Sequence, residues 1–549
     1  MNFPKHLQWV AFITLSVNAA AMFSPILNSG DAITYAAIAQ HIALSHDWLS
    51  LVLDGHDWLD KPHFPFWITA LFFKIGGVSA LTYILPGFLF HFIGAYFTYR
   101  LARMLYNKPT ALLAVLIYVS VFNLMDSSIE IKAEAYLTGQ IMAACYYWLR
   151  YDAQFRIKYL VLGALFTAMA IMTKGVFTLF TIFSGLVCLW LYQKQWFKLF
   201  SIKWLAALIL SLLFIAPELA ALYFQFNQHA GSGELEQQIY AFKFFFWESQ
   251  FGRFFNTGPI QNHNGHPFYY VLVFLWGFFP WSVVFFSAIY AHSKDFSNAI
   301  SSERIALVFL SGAFLCTFLM FSATKYQMGY YIDIVLPFAA ILCANYLNNS
   351  AISRPLFIAQ MYLISLLTLI AIALSIYVMN FTLLATIAVI VIGLYYYFCA
   401  TRTAPFNFRA IIYSVLVIDL LYIFLVLLTY VAFTQFSVAY NAVKLLGKQS
   451  DIPIYVYQMP EVARELALYS KVPCYEIETT ESLIPPKGNV YLIVKHEQAQ
   501  QLHFESSQFR QFANMKLVVH KTGTFDKLLQ LAKGVWPLES IDFLQYTAH

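Results

Sequence analysis

The chain has 549 residues, of which 60% are apolar, 19% are aromatic and only 11% are charged. Soluble domains average about 45–50% apolar and about 25% charged residues, so this composition excludes an ordinary soluble protein and indicates a polytopic membrane protein. The formal net charge is +5, and we expect membrane lipids, but no nucleic acid, among the partners.

Scanning the sequence with a window of about 19 residues predicts thirteen apolar spans. They lie near residues 8–24, 80–102, 109–125, 133–150, 159–173, 175–192, 204–226, 268–290, 305–323, 331–347, 355–377, 381–399 and 411–434. A bilayer core needs about 20 helical residues, and several spans are shorter, so one re-entrant segment is an alternative to a full crossing. We expect an α-helical membrane domain over residues 1–434.

The basic residues predict the orientation of this domain, because short cytoplasmic loops carry an excess of Lys and Arg. With the N-terminus in the cytoplasm, fifteen Lys and Arg fall in the cytoplasmic loops and seven in the outer loops before residue 435. An odd number of spans then places the C-terminal region outside the cytoplasm. We expect a bacterial inner-membrane protein whose C-terminal region is periplasmic.

The acidic residues show the opposite bias, with eleven in the outer loops and three in the inner loops of the same domain. Acidic residues contribute little to topology and therefore need another reason to cluster. One explanation is that the outer loops are longer and hold more polar residues of every kind. The other explanation is an acidic active site on the outer face.

The first outer loop, residues 25–77, opens with NSGDAITYAAIAQHIA. Asn28 or Ser29 can cap a helix here, and its apolar positions fit a surface lying along the membrane interface. Asp31 then lies in the first turn, where the helix dipole favours an ionised carboxylate. Helix capping alone explains such an aspartate, while a role as base or as partner of a cation is the functional alternative.

The same loop continues with the charged stretch DGHDWLDKPHFPFW. Lys61 precedes a proline and is therefore expected in an extended conformation. Pro62 and Pro65 fit the first turn of a second interfacial helix that runs through Phe72. A lysine at a helix start can bind a phosphate together with the free backbone amides, or it can reach towards lipid head groups.

The second large outer loop, residues 227–267, contains FFFWESQFGRFFNTGPIQNHNGHPFYY. Arg253 lies among aromatic residues, where its stem can pack and its planar fork can bind a phosphate through two hydrogen bonds. His263 and His266 are three residues apart in a polar turn. With a nearby carboxylate they can ligate a divalent metal, although such histidines are more often ordinary interface residues.

A third outer element, FSATKYQMGYYIDIVLP, places Lys325 and Tyr331 at the outer end of a span. Ionisable residues inside a membrane are costly and usually face a cavity, so Glu218 and Asp333 are also functional candidates. A belt of interfacial aromatic residues explains the tyrosines equally well. We nevertheless expect a cationic site on the outer face, formed by Lys61, Arg253, Lys325 and Tyr331.

Residues 435–549 have a different character, with eleven basic and eleven acidic residues spread evenly. IPIYVY, VPCYEI, NVYLIV and KLVVH predict short strands, and EVARELALYS and EQAQQLHF predict helices between them. We expect a small soluble α/β domain. It contains no glycine-rich phosphate loop, and we expect it to cover the site.

Several segments, taken together and in order, resemble the membrane-embedded glycosyltransferases of the GT-C superfamily. They are GDAITYAAIAQHI, LDKPHFPFW, KAEAYLT, TKGVFTLF, HPFYY and SATKYQMGYYIDIVLP. The resemblance is closest to the lipid A aminoarabinose transferases and the protein O-mannosyltransferases. It implies a GT-C fold and a sugar donor carried on a polyprenyl phosphate.

The resemblance also implies roles for individual residues. Asp31 takes the position of the essential carboxylate, and Glu134 that of a second catalytic acid. The phosphate of the donor is bound by Lys61, Arg253 and Tyr331, to which we add Lys325 from the same outer element as Tyr331.

A divalent metal, Zn or Mg/Mn, is a further implication of the resemblance. Asp60 and His263 match the positions that hold it in the aminoarabinose enzymes. Some residues depart from the family pattern: Ala32 replaces an acid, His63 and Phe64 stand where a second proline is usual, and Gly329 replaces a proline. These departures concern the identity of the substrate more than the type of reaction.

The predicted location agrees with this chemistry, because an activated sugar outside the cytoplasm must arrive on a lipid carrier. Cations fixed in a partly dry cavity would stabilise the charge that develops on the departing carrier phosphate. A lipid A phosphate as acceptor is already nucleophilic and needs no strong base. A hydroxyl acceptor would require Asp31 to take its proton.

Three other functions are possible for such a sequence. A protein O-glycosyltransferase would modify Ser or Thr of secreted proteins, whereas a lipid A enzyme would alter lipid mass and resistance to cationic peptides. A transporter or flippase predicts charges near mid-membrane and an internal repeat, and we find neither. A scaffold predicts that changing Lys61 or Asp31 has no effect on activity.

Overall fold

The architecture is that of a computed structural model, which describes 3–23, 30–129, 131–228, 240–350, 406–446, 452–470, 472, 474–478, 489–501, 509–518 and 538–546, and a few positions between 355 and 373. The predicted spans 355–377 and 381–399 therefore lie largely outside the described residues.

Helices dominate the first part of the described chain. They are α1 Phe3–Ala21, α2 Gly30–Ser45, α3 Phe64–Gly76, α4 Ala80–Leu105, α5 Lys108–Val119, α6 Phe122–Ser127, α7 Ala133–Gln154, α8 Ile157–Lys174, α9 Thr178–Tyr192, α10 Ile202–Leu213, α11 Ala216–Gln228, α12 Tyr269–Gly277, α13 Ser282–Asp295, α14 Ser301–Ala323, α15 Leu336–Asn349, α16 Phe406–Phe436 and α17 Val438–Leu446. Two short 3₁₀ helices, Trp196–Phe200 and Gly329–Val335, a π-helix, Phe244–Gly252, and the single helical turn Arg253–Phe255 after it complete this part.

Within the described residues, five helical segments are long and apolar enough to cross a membrane. They are Ala80–Leu105, Ile157–Lys174, Ile202–Phe226, Ser301–Ala323 and Gly329–Asn349. The first four carry exposed large apolar side chains, as expected where a helix faces lipid, whereas Gly329–Asn349 is almost wholly buried among other segments. The protein is a multi-pass membrane protein, and the predicted total of thirteen spans stays a prediction.

The predicted span 268–290 differs from a simple crossing. It consists of α12 and α13, which meet at an angle of 110°. The break falls at the Phe279-Pro280 step, where the proline cannot continue the hydrogen bonding of the first helix. This geometry is either a broken span or the re-entrant segment that the short span lengths allowed.

The first outer loop forms the two predicted helices, with a β-hairpin between them. The hairpin pairs β1 Val52–Leu53 with β2 His56–Asp57. Helix α2 is more buried than an interfacial helix would be, because Ile33, Ile38 and Ile42 are fully covered by neighbouring segments. Helix α3 begins later than predicted, because Pro62 was expected in its first turn.

Helix α3 begins at Phe64 with Pro65 in its first turn, so Pro62 precedes the helix. His63 is its N-cap residue. Lys61 therefore lies three residues before the first residue of the helix.

The C-terminal part forms a five-stranded sheet with the order β4-β3-β5-β7-β6. Its strands are β3 Ile454–Tyr457, β4 Cys474–Ile477, β5 Val490–Lys495, β6 Phe509–Val518 and β7 Leu538–Tyr546. β3 is parallel to β4 and β5, whereas β7 is antiparallel to β5 and β6. The helices α18 Pro460–Tyr469 and α19 His496–Gln501 connect strands.

The sequence predicts β3, β4, β5 and the last three residues of β6, but it does not predict β7. Its segment LESIDFLQY contains a buried acid, Asp542, whose side chain binds His496 at 2.8 Å. A charged residue on the inner face disrupts the apolar alternation that identifies a strand, which explains why β7 was missed. β7 joins β5 to β6 and thereby makes the sheet continuous.

The C-terminal sheet region is not separate from the helical part. Helix α18 packs on α2, and Leu468 is buried in the same hydrophobic cluster as Ile38 and Ile42. The helix that carries Asp31 is therefore covered by the C-terminal region.

Candidate functional site

A cavity with about 790 Å³ of empty space, partly open to solvent, brings together segments distant in sequence. Its polar lining comes from the loop after the β-hairpin, the end of α8, the start of α11, the π-helix with the helical turn that follows it, and the segment between α14 and α15. The residues concerned are Asp60, Lys61, Lys174, Glu218, Ser249, Gln250, Arg253, Thr324, Tyr326 and Tyr331. Phenylalanine, leucine and methionine side chains form the rest of the wall.

Asp60 lies between two cations in this lining. One carboxylate oxygen binds the Lys61 ammonium at 2.5 Å, and the other binds the Arg253 guanidinium. Burial raises the pKa of the Asp60 carboxyl, but Lys61 and Arg253 outweigh burial and hold that pKa below its ordinary value. Asp60 is therefore ionised and fixes the positions of both cations.

The two cations respond differently to their burial. Burial lowers the pKa of the Lys61 ammonium, and the attraction of Asp60 offsets this only in part. Burial also lowers the pKa of the Arg253 guanidinium, but Asp60 reverses the effect and the pKa is raised. Arg253 thus keeps its charge at any physiological pH, while an incoming anion would stabilise the charged form of Lys61.

Aromatic rings pack beside the Arg253 guanidinium in the cavity. The guanidinium lies 5.4 Å from the centre of the Tyr326 ring, and the Tyr326 ring stacks on Tyr331 with 6.4 Å between ring centres. Such contacts orient a planar guanidinium without satisfying all of its donors. Arg253 can therefore still bind an anion in the cavity.

Lys174, the last residue of α8, supplies a third cation. It is buried and forms an ion pair with Glu134 in the first turn of α7. Its ammonium lies 3.7 Å from the centre of the Tyr331 ring. The sequence analysis did not place Lys174 in the site, although the segment TKGVFTLF, which contains it, was one of the family resemblances.

The backbone that ends α8 is held by the π-helix. Gly175 has a φ of 103°, a conformation that favours glycine. The side chain of Gln250 donates to the Lys174 carbonyl at 3.4 Å and accepts from the Phe177 amide at 3.3 Å. A side chain at position 175 would collide with Gln250, so glycine is needed for both conformation and space.

Asp31 lies close to these residues in the first turn of α2. The Tyr330 hydroxyl donates to an Asp31 oxygen at 3.4 Å. The ammonium of Lys132 is 4.4 Å from the centre of the Tyr330 ring, and that of Lys174 is 5.6 Å away. Asp31 itself is exposed and can contact a substrate that reaches the cavity.

The structure thus brings together Lys61, Arg253 and Tyr331, as the sequence analysis expected. It does not bring Lys325 with them, because that side chain is exposed and outside the cavity lining. The Lys325 backbone instead connects two outer segments, donating to Phe254 at 2.9 Å and accepting from Gly265 at 2.6 Å. We therefore remove Lys325 from the predicted phosphate-binding set.

The residues present do not fit the predicted metal. Both oxygens of Asp60 bind cationic side chains, and His263 is exposed in the outer loop. Across the described parts of the chain, no three His, Cys, Asp or Glu side chains lie close enough together to hold a metal ion. We derive no step of the chemistry through a metal.

The two ionisable residues predicted within spans are both buried. Glu218 lines the cavity and binds His63 through the ring at 3.0 Å and through the backbone amide at 3.0 Å. Asp333 accepts a hydrogen bond from Asn123 at 3.0 Å. Glu218 therefore supports the start of α3 beside Lys61, whereas Asp333 joins α6 to the 3₁₀ helix that carries Tyr331.

Chemically, the cavity combines three cationic side chains with a tyrosine in a partly enclosed space. Charge-assisted hydrogen bonds from such groups suit a phosphate. The same groups, fixed before the reaction, would stabilise negative charge that develops on a departing phosphate. The carboxylates of Asp60 and Glu134 pair with cations, and that of Glu218 binds His63. Asp31 is outside the cavity lining, next to Tyr330, and its exposed carboxylate is accessible to a substrate.

Comparison with known families gives one match within the chain. Residues 60–220 match the family model described as dolichyl-phosphate-mannose-protein mannosyltransferase. The matched region includes Lys61, Glu134 and Lys174, and it excludes Arg253 and Tyr331.

Two relatives extend the similarity over more of the sequence. An uncharacterised protein of Aquifex aeolicus is 26% identical over 348 residues, which cover 62% of this chain and 64% of the relative. An undecaprenyl phosphate-alpha-4-amino-4-deoxy-L-arabinose arabinosyl transferase of Proteus mirabilis is 27% identical over 332 residues, covering 59% of this chain and 56% of the relative. The chain thus spans less than two thirds of the length of these relatives.

Solved structures show the fold over almost the whole chain. The crystal structure of ArnT from Cupriavidus metallidurans bound to undecaprenyl phosphate aligns with a TM-score of 0.71 and covers 98% of both chains, at 14% sequence identity. The apo structure of the same protein gives a TM-score of 0.72 at 16% identity.

The chain is a multi-pass membrane protein with the GT-C fold, which it shares with ArnT over almost its whole length. The predicted fold class is therefore confirmed. Residues 60–220 are similar to the protein mannosyltransferase family, and 332 residues of the chain are similar to an aminoarabinose transferase.

Proposed function

We propose that the protein transfers a sugar from a polyprenyl-phosphate carrier to a lipid acceptor at the outer face of the membrane. The observation that carries this proposal is the convergence of Lys61, Arg253, Lys174 and Tyr331 on one cavity. The similarity to the undecaprenyl-phosphate aminoarabinose transferase of Proteus mirabilis supports it.

The cationic residues have two tasks in this reaction. In the ground state they bind the phosphate that links carrier and sugar. In the transition state they stabilise the charge that grows on the leaving phosphate, which is the interaction that accelerates the reaction. Burial strengthens this second interaction because the local dielectric is low.

Asp31 is proposed to act on the acceptor side. It is exposed, and Tyr330 orients its carboxylate. With a phosphate acceptor, Asp31 positions the acceptor or pairs with an amino group on the sugar. With a hydroxyl acceptor, the same carboxylate takes the proton. Glu134, predicted as a second catalytic acid, is assigned instead to holding Lys174, because its carboxylate pairs with that lysine.

The finer proposal is that the sugar is an amino sugar such as aminoarabinose and that the acceptor is a lipid A phosphate in the periplasmic leaflet. It includes a bacterial inner-membrane location, with the N-terminus in the cytoplasm and the C-terminal domain, residues 435–549, in the periplasm. The positive charge of the cytoplasmic loops supports this orientation.

Mass spectrometry of lipid A tests the proposal. Cells that produce the protein should show a sugar increment on lipid A, and the increment should be lost in Asp31→Asn. Glu497→Gln, which changes an exposed carboxylate in the C-terminal region, serves as the matched control and should keep the increment. Unchanged lipid A in the presence of the folded protein would contradict the lipid acceptor.

Transfer to a secreted protein is the second candidate, because the matched family model is that of protein mannosyltransferases. It uses the same type of carrier and the same cavity. Glycoprotein bands that disappear in Asp31→Asn, with no change in lipid A, would favour this candidate over the lipid acceptor.

A further inference from the structure

An ion pair connects the C-terminal region to the loop that carries the phosphate-binding lysine. Arg464 of α18 binds both carboxylate oxygens of Asp54, with Nε at 3.2 and 3.1 Å from them and a further contact through Nη2. This two-pronged geometry is specific to arginine, because a lysine presents a single ammonium. Asp54 is the first residue of the turn between β1 and β2.

The contact is one part of a larger docking of α18 on α2. The Gln40 amide donates to the Ala467 carbonyl at 3.4 Å, and Leu468 is 4% exposed within the cluster that includes α2. Gly30, next to Asp31, lies against the Glu461 carboxylate, 3.3 Å from where a Cβ would be. Arg464 thus binds the hairpin from a helix that is itself anchored on α2.

After β2, contacts of the hairpin hold the chain that leads to Asp60 and Lys61. Asp54 and Gly55 have φ values of 52° and 81°, as in the tight turns that asparagine, aspartate and glycine favour. After the turn, the Trp58 amide donates to the Leu51 carbonyl at 2.8 Å. The Trp58 ring packs against Phe66 with 5.3 Å between centres.

A chain of short contacts therefore runs from Arg464 to the cavity. Gln225 of α11 adds to it, because its side chain binds the Leu51 backbone and donates to Asp57 at 3.0 Å. Asp60 and Lys61 follow within four residues of Asp57. A shift of the turn would therefore displace the residues that place the Lys61 ammonium.

We propose that Arg464 is a positioning residue: through Asp54, the C-terminal region holds the β1–β2 hairpin so that Lys61 faces the cavity. The inference rests on the proposed phosphate-binding function of Lys61. It gives the C-terminal region a part in substrate binding in addition to covering α2. Because Asp54 is 38% exposed, the pair adds little to global stability, and its effect should be local.

The test measures binding of undecaprenyl phosphate by the full-length protein in nanodiscs, together with hydrogen exchange of the backbone amides of residues 52–61. Arg464→Gln and Asp54→Asn each remove the pair, and asparagine keeps the left-handed conformation of residue 54 accessible. Arg464→Lys keeps the positive charge but removes the planar guanidinium that binds both carboxylate oxygens. Lys495→Gln breaks another ion pair of the C-terminal sheet, with Glu539, and is the matched control.

We expect Arg464→Gln and Asp54→Asn each to weaken binding about fivefold or more, as is typical of coupling between sites, and to increase exchange in residues 52–61. The double variant should be no weaker than either single variant, since both remove the same contact. Arg464→Lys should recover part of the loss, and Lys495→Gln should bind like the wild type.

Wild-type affinity in Arg464→Gln with unchanged exchange in the hairpin would overturn the inference, as would additive losses in the double variant. Failure of the proposed function looks different: the wild type itself would not bind undecaprenyl phosphate. In that case increased hydrogen exchange of the hairpin in Arg464→Gln and Asp54→Asn would still show that the Arg464–Asp54 pair holds the hairpin in place. Unchanged exchange would refute this.

Discussion

At the scale of single residues, Asp60 organises the cavity. A carboxylate between Lys61 and Arg253 keeps two like charges close together in a partly buried place. Without a ligand, these cations depend on Asp60 for compensation. An incoming phosphate can therefore share both cations with Asp60 and needs no large rearrangement of side chains.

Replacing Lys61 by methionine is the direct residue-scale test. Methionine keeps much of the length and removes the charge, so undecaprenyl phosphate binding should weaken about tenfold or more, because a charged hydrogen bond contributes about 1.5–3 kcal/mol. Isothermal titration with the protein in nanodiscs measures the change.

Lys74→Met is the matched control for this prediction. Lys74 belongs to the same outer loop but is exposed, beside His46 and Trp48. Equal losses in the two variants would show a general electrostatic effect of the outer loop in place of a specific contact at Lys61.

Much of this residue set follows from sequence, and some of it does not. Lys61 and Arg253 were predicted from the family resemblance, and a lysine expected near a helix start and an arginine among aromatic residues agree with it. Lys174 was missed because a lysine at the end of an apolar span equally fits a residue that reaches towards lipid head groups. Its pairing with Glu134 depends on the packing of α7 against α8.

At the scale of elements, the ends of helices and the irregular segments carry the site. Lys174 ends α8, Glu134 and Asp31 lie in first turns, and Ser249 and Gln250 belong to a π-helix. π-Helical turns are rare and are often found at functional sites. Here the π-helix presents Gln250 to the backbone at the end of α8.

Gly175→Ala tests whether this contact positions Lys174. Alanine would be strained at a φ of 103° and would also collide with Gln250. We expect a loss of about 1–3 kcal/mol in the free energy of unfolding, as for other strained backbone positions, and weaker binding of undecaprenyl phosphate. Thermal unfolding and titration measure the two effects.

Gly77→Ala separates strain from collision. Gly77 also has a positive φ, 78°, but nothing lies within 4 Å of the added methyl group. The Gly77→Ala protein should therefore have a lower free energy of unfolding but an unchanged affinity for undecaprenyl phosphate. A Gly175→Ala protein that binds the phosphate as Gly77→Ala does would argue against a role for the Gln250 contact in placing Lys174.

At the scale of the whole molecule, helix α2 contacts both the helical part and the C-terminal region. The membrane domain supplies the cations, and the C-terminal region packs on the helix that carries Asp31. The proposed orientation requires this side of the molecule to face the periplasm, since the polyprenyl-linked donor and the acceptor would meet there.

Reporter fusions at the C-terminus test that orientation. In a Gram-negative host, an alkaline phosphatase fusion should be active and a cytoplasm-dependent fluorescent protein fusion should be dark. The same reporters fused after residue 154, at the end of α7, should give the opposite pattern, because that loop is predicted to be cytoplasmic. The reverse result at both positions would invert the topology.

Composition and hydropathy by themselves determined that this is a helical membrane protein, because long apolar segments cannot be accommodated in water and must be helical in lipid. Local patterns also located α2, α3 and most strands of the C-terminal sheet. These features depend on residues that are close in sequence, where periodicity and turn preferences act directly.

The tertiary structure alone decided which charges meet. It brought Lys174 to the cavity and paired it with Glu134, and it left Lys325 outside. It also paired Asp60 with two cations and Arg464 with Asp54. These pairings link segments up to 410 residues apart. Their formation depends on how helices pack and on the free-energy cost of burying an unpaired charge. Neither can be inferred from a short segment of the sequence, because both involve residues that are far apart along the chain.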